Sequence, residues 1–163
     1  RAAARMRGRI DVVMAGQDRR LPSPSVRRGG PVTIRSQPGG VADYWSLYDG
    51  FDVLLMPRRY GGLCLPVQEG MAAGLVPVMP DVSPNRDWPI VPVPASMKGS
   101  IATQGGVLRM AQAKPVDLAA AVDRLAADPL RLAGARARVL AWAEAHSWEE
   151  LAPVWRTELE RAI

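Results

Sequence analysis

The sequence predicts an α/β domain, a parallel sheet flanked by helices. Three observations carry this. Short apolar runs alternate with helix-periodic segments across residues 9–80, the order of a chain that returns each strand to the same sheet through a crossover. Two of those runs, "FDVLLMP" and "LVPVMP", are apolar without alternation, the pattern of parallel strands covered on both faces. From residue 115 onward helical periodicity takes over. No internal repeat is evident, and 163 residues fit one domain, residues 1–163, with a sizeable core.

Taken in order, "RAAARMRGR" reads as the tail of a helix belonging to a longer chain. "RIDVVMAG", residues 9–16, is a short apolar run closed by glycine and predicts a buried strand. Residues 17–31 are rich in Pro, Gly, Ser and Arg and predict a loop. "VTIRS", 32–36, is β-branched and predicts a strand, broken by "QPGG". In 41–50, Val41, Trp45 and Tyr48 stand near helical spacing, with Gly50 at the place of a C-cap. Residues 51–57 predict a strand buried on both faces. Residues 65–74 predict a short helix with Pro66 in its first turn and Gly74 at its C-cap, and 75–80 the next strand.

The second half is less regular at first. "DVSPNRDWP" is a polar loop, and "IVPVPAS", 90–96, is extended but proline-broken, so it belongs at an edge or outside the sheet. Residues 97–106 predict a flexible loop and 107–113 an exposed strand. Three helices follow. Residues 115–129 place Leu118, Val122 and Leu125 on one face, and 130–146 form the second. The last, 147–163, opens on a capping box of Ser147 and Glu150, and its apolar positions Trp148, Leu151, Val154 or Trp155, and Leu159 repeat at helical spacing.

Composition narrows the function classes. Hydrophobic residues make up 48% and charged residues 23%, an ordinary globular mixture, and the net charge is +5. That charge fits an anionic partner, nucleotide diphosphate, nucleic acid or acidic lipid, although arginine-rich coding explains it equally well. The arginines are spread along the chain with no aromatic-interleaved basic tract, so nucleic-acid binding is not demanded. No apolar run reaches the ~18 residues of a transmembrane helix. No signal peptide is visible, and a cytoplasmic location is expected, with peripheral attachment to a membrane left open. One cysteine, Cys64, and one histidine, His146, allow neither an internal disulfide nor a zinc set.

The stretch "YDGFDVLLMPRRYGGLCLPVQEGMAAGLVPV" resembles the C-terminal, donor-binding half of GT-B glycosyltransferases of the large retaining family with a Glu-(seven residues)-Glu motif. Asp52, Pro57, Gly62, Leu65, Pro66, Glu69, Met71, Ala72, Gly74, Pro77 and Val78 fall in step with its pattern. The likeness extends over most of residues 9–155, through "IDVVMAGQD" upstream and through the "DLAAAV", "DP" and "SW" landmarks of the family's tail. It is weak over 17–40 and 81–106.

The resemblance implies a Rossmann-like domain that binds a nucleotide-diphosphate sugar as substrate and needs no cofactor, no metal and no covalent nucleophile. Its partner would be an N-terminal GT-B half in the same or another chain, toward which helix 147–163 crosses. Glu69 would hold the ribose hydroxyls. The turn of Gly61, Gly62, Leu63, Cys64 and Leu65 would present backbone N–H groups to the diphosphate, in keeping with the partial positive charge at a helix N-terminus. By the same resemblance, the family's Arg and Lys that neutralise the leaving diphosphate would lie upstream of Arg1.

One slot departs from the family. The first glutamate of the motif, separated from Glu69 by seven residues, is here Gly61. Either the site has lost its sugar chemistry, or other residues serve, and the candidates for catalysis are Arg58 and Arg59 at the end of the strand. As charge-assisted donors they suit phosphate or sugar, and they equally suit a solvated loop. Asp81, Ser83, Asn85 and Asp87 follow a parallel strand, where ligands bind, but are also turn formers. Gln37 to Gly40 are placed near a base by fold analogy alone. The acceptor is open among glycan, lipid and DNA. The rival readings are a non-catalytic nucleotide- or glycan-binding relative and another Rossmann or flavodoxin-like module holding a different phosphate ligand.

Overall fold

The computed structural model describes residues 2–16, 24–60 and 62–162. Eight strands and four helices follow one another as β1 (Ile10–Gly16), β2 (Ser25–Gly29), β3 (Val32–Pro38), β4 (Val53–Leu55), α1 (Leu65–Ala72), β5 (Val76–Pro80), β6 (Val91–Val93), β7 (Ala95–Thr103), β8 (Gly106–Ala113), α2 (Pro115–Ala127), α3 (Pro129–Ala145) and α4 (Trp148–Arg161). The fold is mixed α/β, as the sequence predicts. The strands, however, form three sheets, in the orders β1-β3-β2, β4-β5-β6 and β7-β8.

The sheet β4-β5-β6 is wholly parallel, and β5 is its centre. All five residues of β5 are buried. Alternation sends them to two cores. Val76 and Val78 join Val93 and the α2 residues Leu118, Ala121, Val122 and Leu125. Met79 turns to the other face, against Val67 and Met71 of α1 and Val139 of α3. The flanking strand β4 divides the same way, with Val53 and Leu55 on the first core and Leu54 on the second. This sheet therefore has helices on both faces, which is why its strands read as unbroken apolar runs. The strand expected over 51–57 is shorter, three residues, and only half-buried, because β4 lies at the sheet edge. Proline-broken β6 takes the opposite edge, the place its prolines require.

Helix α1 shows how local sequence sets an element. Pro66 fits its first turn, and Cys64 at the N-cap accepts no side-chain cap bond. At the other end Gly74 adopts φ +78°, and the Leu75 and Gly74 amides donate to the Gly70 and Met71 carbonyls, the paired bonds of a Schellman motif. Gly70 lies so close to β4 that a Cβ there would meet Leu54 Cδ2 at 2.9 Å. Arg136 of α3 ties this corner together, donating to the Gly74 carbonyl at 3.0 Å and to Asp52 Oδ1 at 2.8 Å.

The sheet β1-β3-β2 differs from expectation in two ways. β1 is covered on one face only, with Ile10 and Val12 packing beside Val32 and Ile34 on the first core, so the prediction of a buried strand is corrected. The predicted loop 17–31 falls partly outside the described residues, and its remainder contains β2, antiparallel to β3. Gly30, at φ +60°, and Pro31 make the two-residue turn between them, a hairpin signal masked by the surrounding Pro, Ser and Arg. Asp123 of α2 fixes the approach to β1, its carboxylate accepting the Arg7 and Gly8 amides at 2.9 Å.

Two more expectations are corrected. The helix predicted over 41–50 is a single 3₁₀ turn, Tyr44–Leu47, because Asp43 caps it by accepting the Trp45 amide and Gly50 turns the chain at φ +74°. The flexible loop predicted for 97–106 is one arm and the turn of the β7-β8 hairpin. Its glycines mark an irregularity in the pairing around Gly99 and a turn at Gln104 and Gly105, not a loss of order.

The last helices follow the sequence closely. Asp128 caps α3 by accepting the Arg131 amide, a bond that holds its carboxyl below the usual range. Ser147 caps α4 by accepting the Glu150 amide, while the Ser147 amide itself donates to the Glu144 carbonyl. No residue of α4 is buried, and Trp148, Val154, Trp155 and Leu159 are each more than half exposed. Among the described residues no helix is long and apolar enough to cross a membrane.

Candidate functional site

Parallel pairing puts the C-terminal ends of β4 and β5 side by side, and the segments leaving them meet there. The turn after β4 carries Arg58, Arg59, Tyr60 and Gly62. The loop after β5 carries Val82 to Asn85. Together with the β7-β8 hairpin they line an open cavity of about 370 Å³. This is the end of a parallel sheet at which ligands bind, because loops from neighbouring strands diverge there and leave a crevice.

Each wall is held by its own bonds. The loop after β5 is closed by Arg86, which donates from Nε to Asp81 Oδ1 at 2.7 Å and from Nη2 to the Asp81 carbonyl at 3.0 Å. Asn85 is buried and donates to the Pro80 carbonyl at 2.9 Å. Asp81 and Asn85 thus shape the loop, while Ser83 and Asn85 border the cavity. The hairpin is fastened to the opposite wall by the Ala111 amide, which donates to the Arg59 carbonyl at 2.7 Å.

Arg58 is the unusual residue. Its Nη2 donates to the Gly62 carbonyl at 2.6 Å and so braces the turn. Its Nη1 is buried and has no hydrogen-bond partner among the described residues. A buried donor without an acceptor costs about 1–3 kcal/mol, more when it carries charge. Arg59 and Arg109 line the same cavity, and no carboxylate does among the described residues. Three guanidinium groups without a lining counter-charge suit an anion with several oxygens.

Glu69 stands elsewhere on α1. Its Oε2 accepts two phenol hydrogen bonds, from Tyr44 at 2.7 Å and from Tyr48 at 2.6 Å. Tyr48 is buried, and that burial, followed by its bond to Glu69, holds its phenol well above the usual range. Tyr44, Trp45 and Tyr48 contact one another edge-on or tilted, and Tyr44 and Trp45 remain largely exposed. Neither Tyr44 nor Tyr48 stands out in the sequence as a partner for Glu69, since they lie in a segment that reads as an amphipathic helix.

The predicted site residues therefore separate. Arg58, Arg59 and Gly62 come together in the cavity. Leu63, Cys64 and Leu65 continue the turn into α1 without lining it, and Leu63 and Leu65 are exposed. The amides of Gly62, Leu63, Cys64 and Leu65 donate to no backbone acceptor among the described residues. Gly61 lies outside the described residues. Arg109 was not singled out by the sequence, and only the hairpin brings it here. His146 stacks on Trp142 at 3.9 Å, with Nδ1 2.7 Å from the Trp142 carbonyl, which accounts for it structurally. Among the described residues no group of three or more His, Cys, Asp and Glu side chains could hold a metal ion.

A second cavity, of about 560 Å³, lies on the sheet β1-β3-β2. Arg9, Asp11, Arg28 and Arg35 border it, and Arg35 approaches Asp11 at 3.8 Å. No family model matches the chain, and neither the curated proteins nor the solved structures contain a significant match.

Proposed function

We propose that the chain is the donor-binding half of a GT-B glycosyltransferase of the retaining kind, which binds a nucleotide-diphosphate sugar. The observation that carries this reading is the cavity at the C-terminal ends of β4 and β5, lined by Arg58, Arg59 and Arg109 and by no carboxylate among the described residues. A diphosphate seated there accepts from the guanidinium groups of Arg58 and Arg59. The amides at the start of α1, which have no backbone acceptor among the described residues, extend the same positive field. As the sugar leaves, negative charge grows on the diphosphate, and fixed cations in a partly enclosed site stabilise that charge more than they stabilise the intact donor. Arg58 and Arg59 thereby take the electrostatic part of the work, and Glu69, fixed by two tyrosines, presents its remaining oxygen to the ribose hydroxyls.

The sheet orders support the same reading. In a doubly wound sheet the strands run 3-2-1-4-5-6. The orders β3-β1 and β4-β5-β6 correspond to 3-2 and 4-5-6, and β1 and β4 each have one edge with no strand partner among the described residues. In the reading proposed here a further strand occupies the first position, and the exposed apolar side chains of α4 pack on the N-terminal half.

The test is donor hydrolysis and sugar transfer by the protein together with its N-terminal half. Turnover that falls at least tenfold in Arg58→Ala supports the reading. Nucleotide binding with no turnover supports the non-catalytic relative, which Gly61 in the first motif slot favours. The arginine-bordered groove on β1-β3-β2 favours an anionic acceptor over a neutral glycan. A DNA shift assay that weakens steeply with salt checks this.

A further inference from the structure

We propose that the β7-β8 hairpin is the third wall of the anion site and that Arg109 binds the diphosphate directly. This rests on the donor-site reading above and adds a binding residue from outside the turn and helix that carry the motif. Three observations lead to it. Arg109 borders the same cavity as Arg58 and Arg59. The hairpin is anchored at that wall, because the Ala111 amide donates to the Arg59 carbonyl at 2.7 Å, so Arg109 stands two residues from a fixed point beside the arginine pair. The irregularity between Met97 and Ser100, with Gly99 at φ +81°, resets the pairing so that Arg109 lies opposite Ser100 while Met97 lies opposite Ala111.

Charge decides the ligand class. Three guanidinium groups with no carboxylate in the lining exceed what one phosphate monoester neutralises. A diphosphate has more acceptor oxygens over a longer span than a monoester, and more charge once the sugar has left, enough to bridge from Arg58 and Arg59 across to Arg109. The ligand then adds a second tie between the hairpin and the turn after β4, and diphosphate binds more tightly than monophosphate.

The experiment measures binding of inorganic pyrophosphate and of inorganic phosphate to the full chain by calorimetry, for wild type, Arg109→Ala, Arg109→Lys and the remote control Arg161→Ala. Circular dichroism checks that each variant is folded. The expected result is pyrophosphate binding stronger than phosphate binding. Arg109→Ala should weaken it about tenfold or more, Arg109→Lys should weaken it less, and Arg161→Ala should match wild type. Wild-type affinity in folded Arg109→Ala, or no preference for pyrophosphate over phosphate, overturns the proposal. A parallel titration with nucleoside-diphosphate sugars separates the two claims. If pyrophosphate binds through Arg109 but no nucleotide sugar binds, the anion site stands and the glycosyltransferase reading falls.

Discussion

Tyr48 donates a 2.6 Å hydrogen bond to Glu69 Oε2, joining the 3₁₀ turn before β4 to helix α1. Because Tyr44 donates to the same oxygen at 2.7 Å, one carboxylate oxygen fixes two aromatic side chains. This changes the meaning of Glu69. In the sequence it is a motif residue, whereas in the fold it is also the anchor of the segment that leads into the sheet.

Burial, and after it the bond to Glu69, raises the Tyr48 phenol above its ordinary value of about 10. In the unfolded chain the phenol loses its proton near that value, while the folded chain retains it. The native state then binds more protons than the unfolded state, so stability falls as pH rises. The contribution is complete below about pH 10 and declines above it. Denaturant midpoints measured through the alkaline range should drop in wild type. In Tyr48→Phe they should drop less steeply, from a neutral-pH stability lower by about 0.5–1.5 kcal/mol.

Arg58→Met should separate stability from binding. It removes the bond to the Gly62 carbonyl but also removes a buried nitrogen with no acceptor. The two effects oppose each other, and unfolding free energy should stay within about 1 kcal/mol of wild type. The rise in melting temperature given by pyrophosphate should disappear. An unchanged rise would place the anion elsewhere.

Gly70→Ala adds a methyl group 2.9 Å from Leu54 Cδ2, a side chain packed against the second core. Leu54 has to leave its position, and overpacking of this kind costs about 1–3 kcal/mol. The shift should appear in the denaturant midpoint with the m-value unchanged. A loss of less than about 0.5 kcal/mol would show that α1 can move off β4 freely.

Asp123→Ala removes the acceptor for the Arg7 and Gly8 amides. The expected loss is about 1–2 kcal/mol. Hydrogen exchange should speed up at those two amides and along β1, while α1 and β5 stay protected. Uniform acceleration across the chain would mean that Asp123 supports the global fold instead.

Much of the chain could be read without coordinates. The helices from residue 115 onward, α1 with Pro66 and Gly74 at its ends, and the strands β5 and β6 all follow from periodicity and breakers that act over a few residues. Three of the errors share a cause. Residues 25–29, 41–50 and 97–106 contain glycine, proline or aromatic clusters whose outcome depends on what packs beside them. Composition reads such segments as loop or helix, yet two of them are hairpin arms and one is a single turn held by Glu69.

The site divides along the same line. Sequence alone determined that Arg58, Arg59 and Gly62 follow a strand and precede a helix, because chain order and local propensity are enough for that. Only the tertiary structure decided which side chains share a cavity. Parallel pairing of β4 with β5 brings in the loop with Ser83, the hairpin brings Arg109 across a separation of some fifty residues, and Glu69 turns to Tyr44 and Tyr48. Contacts of that range depend on strand register and on the packing of two cores, and no window of neighbouring residues encodes either one.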